Sequence, residues 1–283
     1  MYKLIDGKEV SAFIKNQVKQ EVDALSAQGK SVTLAVIIVG NDPASRVYVN
    51  NKKKACEATG IRSLEFALPE DTKEEELIEL IGKLNDDKDV YGILCQLPLP
   101  KHIDESKIID AVSGEKDVDC FRAENVGKMW LGDYDFAACT PKGVMLLLDY
   151  YGIDVCGKKC VVIGRSNIVG KPMASLLLEK SATVTVCHSK TKELASFTKN
   201  ADIVIAAVGK AKFVTADMIS DGVIVVDVGI NRDENGKLCG DVDFENVKEK
   251  ASYITPVPGG CGPMTIAVLM KNTLVAYKIQ NGD

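Results

Sequence analysis

The stretch 156–180, CGKKCVVIGRSNIVGKPMASLLLEK, decides the fold, because it reads as a strand, a glycine-containing turn and a helix in direct succession. Gly164 permits the tight turn, Gly170 permits close packing of the helix, and exposed amides at the helix start suit a phosphate group. The pattern is GRSxxVG and not GxGxxG, so the motif gains its meaning from context. That context is TVTVC (183–187), ADIVIAAVG (201–209) and GVIVVDVGI (222–230), three further apolar strands at βαβ spacing. TPKGVMLLLDYYGI (140–153) reads as a helix leading into this unit.

Cofactor choice follows from a missing residue. An NAD site usually carries an acidic residue about 20 positions after the glycine turn, where it holds the ribose 2′-hydroxyl. Here the corresponding strand ends in CHSKT (187–191), with no carboxylate. Ser189 can donate to a 2′-phosphate, and Arg165 places positive charge close to the turn, so the expected cofactor is NADP.

Upstream, the chain alternates between the same two periodicities, the signature of a parallel sheet covered by helices. Val10, Phe13, Ile14, Val18, Val22 and Leu25 follow helical spacing, SVTLAVIIVG (31–40) is a buried strand, and KEEELIELIGKLNDD (73–87) is an amphipathic helix. VYGILCQLPLP (90–100) is another strand, stopped by Pro98 and Pro100, which cannot donate to a ladder. Gln96 therefore lies at the carboxyl end of a strand, the edge where open α/β sheets bind ligands. DPASRVYVNNKKKACEATGI (42–61) reads as a helix that sets Tyr48 and Lys52 four residues apart on one face. A phenol beside an amine can move protons if burial pulls the amine towards neutrality; otherwise Lys52, Lys53 and Lys54 form a solvated basic face.

With 283 residues, 46% hydrophobic and 27% charged, the chain can bury a substantial core and suggests two domains. A net charge of −5 and a pI near 5.3 argue against nucleic-acid binding and for a small-molecule partner. The start, YKLIDGKEVSAFIKNQ, has no signal-peptide core, and no apolar run approaches the roughly 20 residues needed to span a bilayer. A soluble, cytoplasmic protein is expected, without membrane association. The nine cysteines lack any CxxC pair and accompany only two histidines, so they read as reduced thiols, with no metal site.

Taken in order, DPASRVYVNNKKKACEATGI, GILCQLPLP, EKDVDCF, CTPKG, GRSNIVGKP, CHSKT, DVGIN and PVPGGCGPMT resemble the signature blocks of the bifunctional methylenetetrahydrofolate dehydrogenase and methenyltetrahydrofolate cyclohydrolase family. The resemblance runs from about residue 40 to the C-terminus. It implies an N-terminal α/β folate-binding catalytic domain (1–138, with the last helix, 264–283) and a C-terminal Rossmann NADP-binding domain (139–263), with a cleft between them. It also implies two reactions, oxidation of 5,10-methylenetetrahydrofolate by NADP to the methenyl cation and hydrolysis of that cation to 10-formyltetrahydrofolate. Position by position, Lys52 resembles the catalytic lysine, Tyr48 its partner beside the folate ring, Gln96 the glutamine that hydrogen-bonds the lysine, and Asp119 the carboxylate that fixes the pterin. Pro258 and Gly259 fall with the substrate-binding residues; Gly164, Arg165, Ser166, Gly170, Ser189 and Ile230 fall with the cofactor. A homodimer is the common family state.

Three positions depart from the family pattern: Cys120 replaces a glycine after the DVD carboxylate, Cys261 replaces a valine, and Ala138 replaces a proline. The first matters most, because glycine tolerates φ > 0 and a side chain there is expected to tilt the Asp119 loop. Other readings stay open at this point: a monofunctional dehydrogenase of the family with weak or absent cyclohydrolase activity, a non-catalytic folate-binding protein, or a hydroxy-acid or shikimate-like dehydrogenase on the same scaffold.

Overall fold

Residues 2–282 are described by a computed structural model. The first part of the chain runs β1 (Lys3–Leu4), α1 (Gly7–Ser26), β2 (Thr33–Val39), α2 (Pro43–Thr59), β3 (Arg62–Leu68), α3 (Glu74–Asp86), β4 (Gly92–Cys95), α4 (Glu105–Ala111), α5 (Ala123–Leu131) and α6 (Cys139–Tyr150). It continues as β5 (Lys159–Ile163), α7 (Gly170–Glu179), β6 (Thr183–Cys187), α8 (Leu194–Thr198), β7 (Ile203–Ala206), β8 (Ile224–Asp227), β9 (Asn231–Arg232), β10 (Leu238–Cys239), α9 (Phe244–Val247), β11 (Tyr253–Ile254) and α10 (Cys261–Asn281). Two compact units result: Met1–Ser11 with Thr140–Thr265, and Ala12–Cys139 with Ile266–Asp283.

The unit containing Thr140–Thr265 is built on a six-stranded sheet in the order β1-β11-β8-β7-β5-β6, every neighbour parallel. The strands named in the sequence, 159–163, 183–187, 203–206 and 224–227, are four of the six. They are buried because helices cover a parallel sheet on its faces; Val161, Ile163, Val204, Ala206, Val225 and Ile254 join one apolar cluster. Ile163 stands level with Cys187 and Ala206, and Ala206 with Asp227, so β5, β6, β7 and β8 end together at one edge.

The expected domain boundaries differ from these units at the N-terminus. Lys3 and Leu4 pair with Tyr253 and Ile254, which brings the first residues into the sheet of the unit containing Thr140–Thr265. A two-residue strand shows no periodicity, and its place is set by a partner some 250 residues away.

In the other unit, β2 lies between β3 and β4, all parallel. All seven residues of β2 are buried, and Ala35, Ile37 and Val39 pack with Leu77, Ile81 and Leu84 of α3. The helix predicted from Val10 to Leu25 is α1, with Val10, Ile14, Val18 and Val22 buried; Phe13, counted with that stripe, is 51% exposed. Among the described residues, no helix is long and apolar enough to cross a membrane.

Candidate active site

α2 owes its limits to local chemistry. Asp42 accepts a hydrogen bond from Ser45 N at 2.7 Å, Pro43 occupies the first turn, and Gly60 closes the helix in the left-handed region at φ 77°. Between these caps the three lysines separate: Lys53 and Lys54 are exposed, whereas Lys52 is only 8% exposed. Its Nζ donates to Gln96 Oε1 at 3.0 Å. Gln96 follows β4 directly, and its Nε2 donates to Leu97 O at 2.6 Å, which fixes the amide with its oxygen towards the lysine. Tyr48, half-buried, sits one turn before Lys52 on α2.

Burial holds the Lys52 ammonium below its ordinary range, and the charge of Asp119 pulls part of the way back. Burial also raises the Tyr48 phenol. Four thiols of the same unit are kept protonated: Cys56, Cys95 and Cys120 are each pushed up to about 12 by burial, and Cys139 well above its usual value. Asp119 is the carboxylate that Lys52 feels most.

The EKDVD segment divides its labour among Lys116, Asp117 and Asp119, of which the sequence singled out only Asp119. Asp117, buried, accepts from Phe121 N at 3.2 Å, Arg122 N at 2.9 Å and Asn125 Nδ2 at 3.0 Å, so it is the residue that caps the turn into α5. Asp119 takes no part in that cap and is partly exposed. Lys116 is buried and donates to Leu84 O, Asn85 O and Asp87 O at 2.7–2.9 Å, closing the carbonyl end of α3. Cys120 adopts φ 58° with its side chain fully buried, so the loop keeps a left-handed residue despite the missing glycine.

In the other unit, the cofactor candidates sit at the shared edge of the sheet. Gly164 follows β5 with φ 134°, and a Cβ there would lie 2.2 Å from Ala207 O. A Cβ on Gly170 would lie 2.3 Å from Gly164 O, so both positions demand glycine. Ser166 Oγ accepts from Val169 N at 3.2 Å and Gly170 N at 3.3 Å, covering the first amides of α7 where a phosphate oxygen would sit. Arg165 and Ser189 are exposed, one after β5 and one after the neighbouring β6. No carboxylate side chain occurs in His188–Lys192. This is a cradle that fits a dinucleotide carrying a 2′-phosphate. Ile230 is 46% exposed in the turn after β8. Pro258 and Gly259 precede α10; Gly259 has φ 113° and is buried.

Residues 5–119 match the family model of the tetrahydrofolate dehydrogenase/cyclohydrolase catalytic domain, and residues 138–281 that of its NAD(P)-binding domain. The bifunctional protein FolD of Acetivibrio thermocellus is 60% identical over 278 residues, covering 98% of each chain. The crystal structure of the FolD dehydrogenase/cyclohydrolase from Campylobacter jejuni is 53% identical, covers 99% of each chain and superposes with a TM-score of 0.96. The FolD structure from Trypanosoma brucei, complexed with NADP and an inhibitor, is 38% identical over 100% of this chain and 99% of that one, with a TM-score of 0.95. Matched in both halves and along nearly its full length, the chain belongs to the tetrahydrofolate dehydrogenase/cyclohydrolase family.

Proposed function

We propose that this protein oxidises 5,10-methylenetetrahydrofolate with NADP and hydrolyses the resulting methenyl cation to 10-formyltetrahydrofolate. The observation that carries the reading is a buried amine, Lys52, held by Gln96 in a chain of this family. Bound NADP supplies the hydride acceptor. The protein's own work in that step is to position the folate, and Asp119 suits the task because an ionised carboxylate accepts paired N–H donors from a pterin edge.

Hydrolysis uses Lys52. With burial favouring the neutral amine and Gln96 taking one N–H, the nitrogen lone pair is free to accept a proton from water as the water oxygen bonds to the methenyl carbon. The carbon–nitrogen bond on the N5 side then breaks as the added hydroxyl loses its proton and becomes the formyl C=O; one of the two water protons ends on N5, the other leaves to solvent, and the formyl group stays on N10. The substrate cation reinforces the neutral state of the amine, since a neighbouring positive charge disfavours protonation. Tyr48, one turn away, stands beside the folate ring; Pro258 and Gly259 are assigned to substrate binding by the family resemblance. Gly164, Ser166 and Gly170 receive the cofactor's phosphates, Arg165 and Ser189 its 2′-phosphate, and Ile230 also contacts the cofactor. The protein works in the cytoplasm as a homodimer, the common family state, without nucleic-acid or membrane partners; its net charge of −5 argues against a nucleic acid.

The test pairs two assays. NADP reduction should depend strictly on 5,10-methylenetetrahydrofolate, and Asp119→Ala should impair both reactions together while calorimetric NADP affinity stays near that of the wild type. Unchanged folate affinity in Asp119→Ala would remove Asp119 from the site; NADP reduction without the folate would overturn the reading as a whole.

A further inference from the structure

Two buried carboxylates at the edge of the six-stranded sheet play no part in the chemistry above. Asp241 is fully buried and its side chain accepts four N–H groups from the ends of two different strands. Oδ2 takes Val208 N at 2.6 Å and Gly209 N at 3.0 Å, and Oδ1 takes Lys210 N at 2.8 Å, all in the turn after β7. Oδ1 also takes Asn231 Nδ2 at 2.8 Å, at the start of β9 just beyond the turn after β8. Four donors on two oxygens use the full acceptor capacity of an ionised carboxylate, which an amide cannot reproduce.

Asp227 holds Asp241 in turn. Its Oδ1 accepts Asp241 N and Gly229 N, each at 2.9 Å, and its Oδ2 accepts Val242 N at 2.9 Å. The pair leaves no room beside it: a Cβ on Gly229 would lie 2.3 Å from the Asp241 carboxylate, and one on Gly240 would lie 1.8 Å from Asp227 Oδ2. Ile230 is thus a large, half-exposed apolar side chain between two residues that the carboxylates pin, Gly229 and Asn231.

We propose that Asp241, seated by Asp227, is a positioning residue for the cofactor: it ties the β7 turn to the segment after β8 and so holds Ile230 in place for NADP. The proposal rests on the assignment of Ile230 to the cofactor. The protein supplies its own anion to the β7 amides, which leaves the β5 turn to receive the cofactor's phosphates.

The test measures NADP affinity by calorimetry and KM for NADP and for 5,10-methylenetetrahydrofolate, well below each variant's melting temperature, in Asp241→Asn, Asn231→Ala and Ile230→Ala. Asp241→Asn should weaken NADP roughly ten-fold, about the worth of one net hydrogen bond lost from the tie, with KM for the folate unchanged. Asn231→Ala, which removes a single donor, should shift NADP in the same direction by less, and it decides the matter if Asp241→Asn does not fold. Variants at 241 and 231 that only melt earlier and bind NADP normally, while Ile230→Ala weakens it, would overturn the positioning role and leave the cofactor assignment standing. Normal NADP binding by Ile230→Ala would overturn the assignment of Ile230 and the proposal with it.

Discussion

Cys120 carries a conformational cost that its neighbours do not. A non-glycine residue at φ 58° costs on the order of 1–2 kcal/mol, and here the thiol is fully buried as well. Replacing the cysteine mixes relief of strain with loss of packing, so the informative comparison is between two truncations. In a helix or strand glycine is less stable than alanine by about 0.5–1 kcal/mol; at this position the order should reverse, with Cys120→Gly more stable than Cys120→Ala by about 1 kcal/mol in urea unfolding. If the alanine variant is the more stable of the two, the loop does not hold residue 120 in the left-handed region.

Among the elements, α5 shows how one carboxylate can stabilise an end and still make it sensitive to pH. Asp117 receives three N–H donors, yet burial outweighs them and pushes its carboxyl up to about 6, with Asp119 adding to the rise. A carboxyl whose pKa is raised on folding binds more protons in the native state between its unfolded value, 3.8, and about 6. Its contribution therefore falls as pH rises through that window and levels off above it. The stability gap between wild type and Asp117→Asn, followed by denaturant unfolding, should be widest for the wild type near pH 4 and narrow by pH 7. A gap that widens with pH would mean that the three donors, not burial, dominate.

At the scale of the whole molecule, what the sequence reveals depends on how local the cause is. The β5, Gly164 and α7 succession was legible because an apolar run, a glycine with no room for a side chain and a helical stripe are all written within 25 residues. Lys52 was visible as a candidate but not separable from Lys53 and Lys54, because burial comes from packing against other segments. Asp117 and Asp119 are two residues apart, and nothing in EKDVD tells which one caps the turn. Asp241 escaped notice because its partner, Asp227, lies 14 residues earlier across the β9–β10 excursion. β1 escaped because a strand of two residues has no pattern. The resemblance supplied the folate assignments and that of Ile230, which no local pattern could, whereas NADP was legible in Gly164, Arg165, Ser189 and the missing carboxylate.

The most direct measurement is the rate of methenyltetrahydrofolate hydrolysis by Lys52→Met, corrected for the spontaneous reaction and set beside calorimetric NADP binding by the same variant. If the buried amine is the base, hydrolysis should fall about 10²–10⁴-fold while NADP binds as in the wild type. Hydrolysis near the wild-type rate in a folded, NADP-binding Lys52→Met protein would contradict the account.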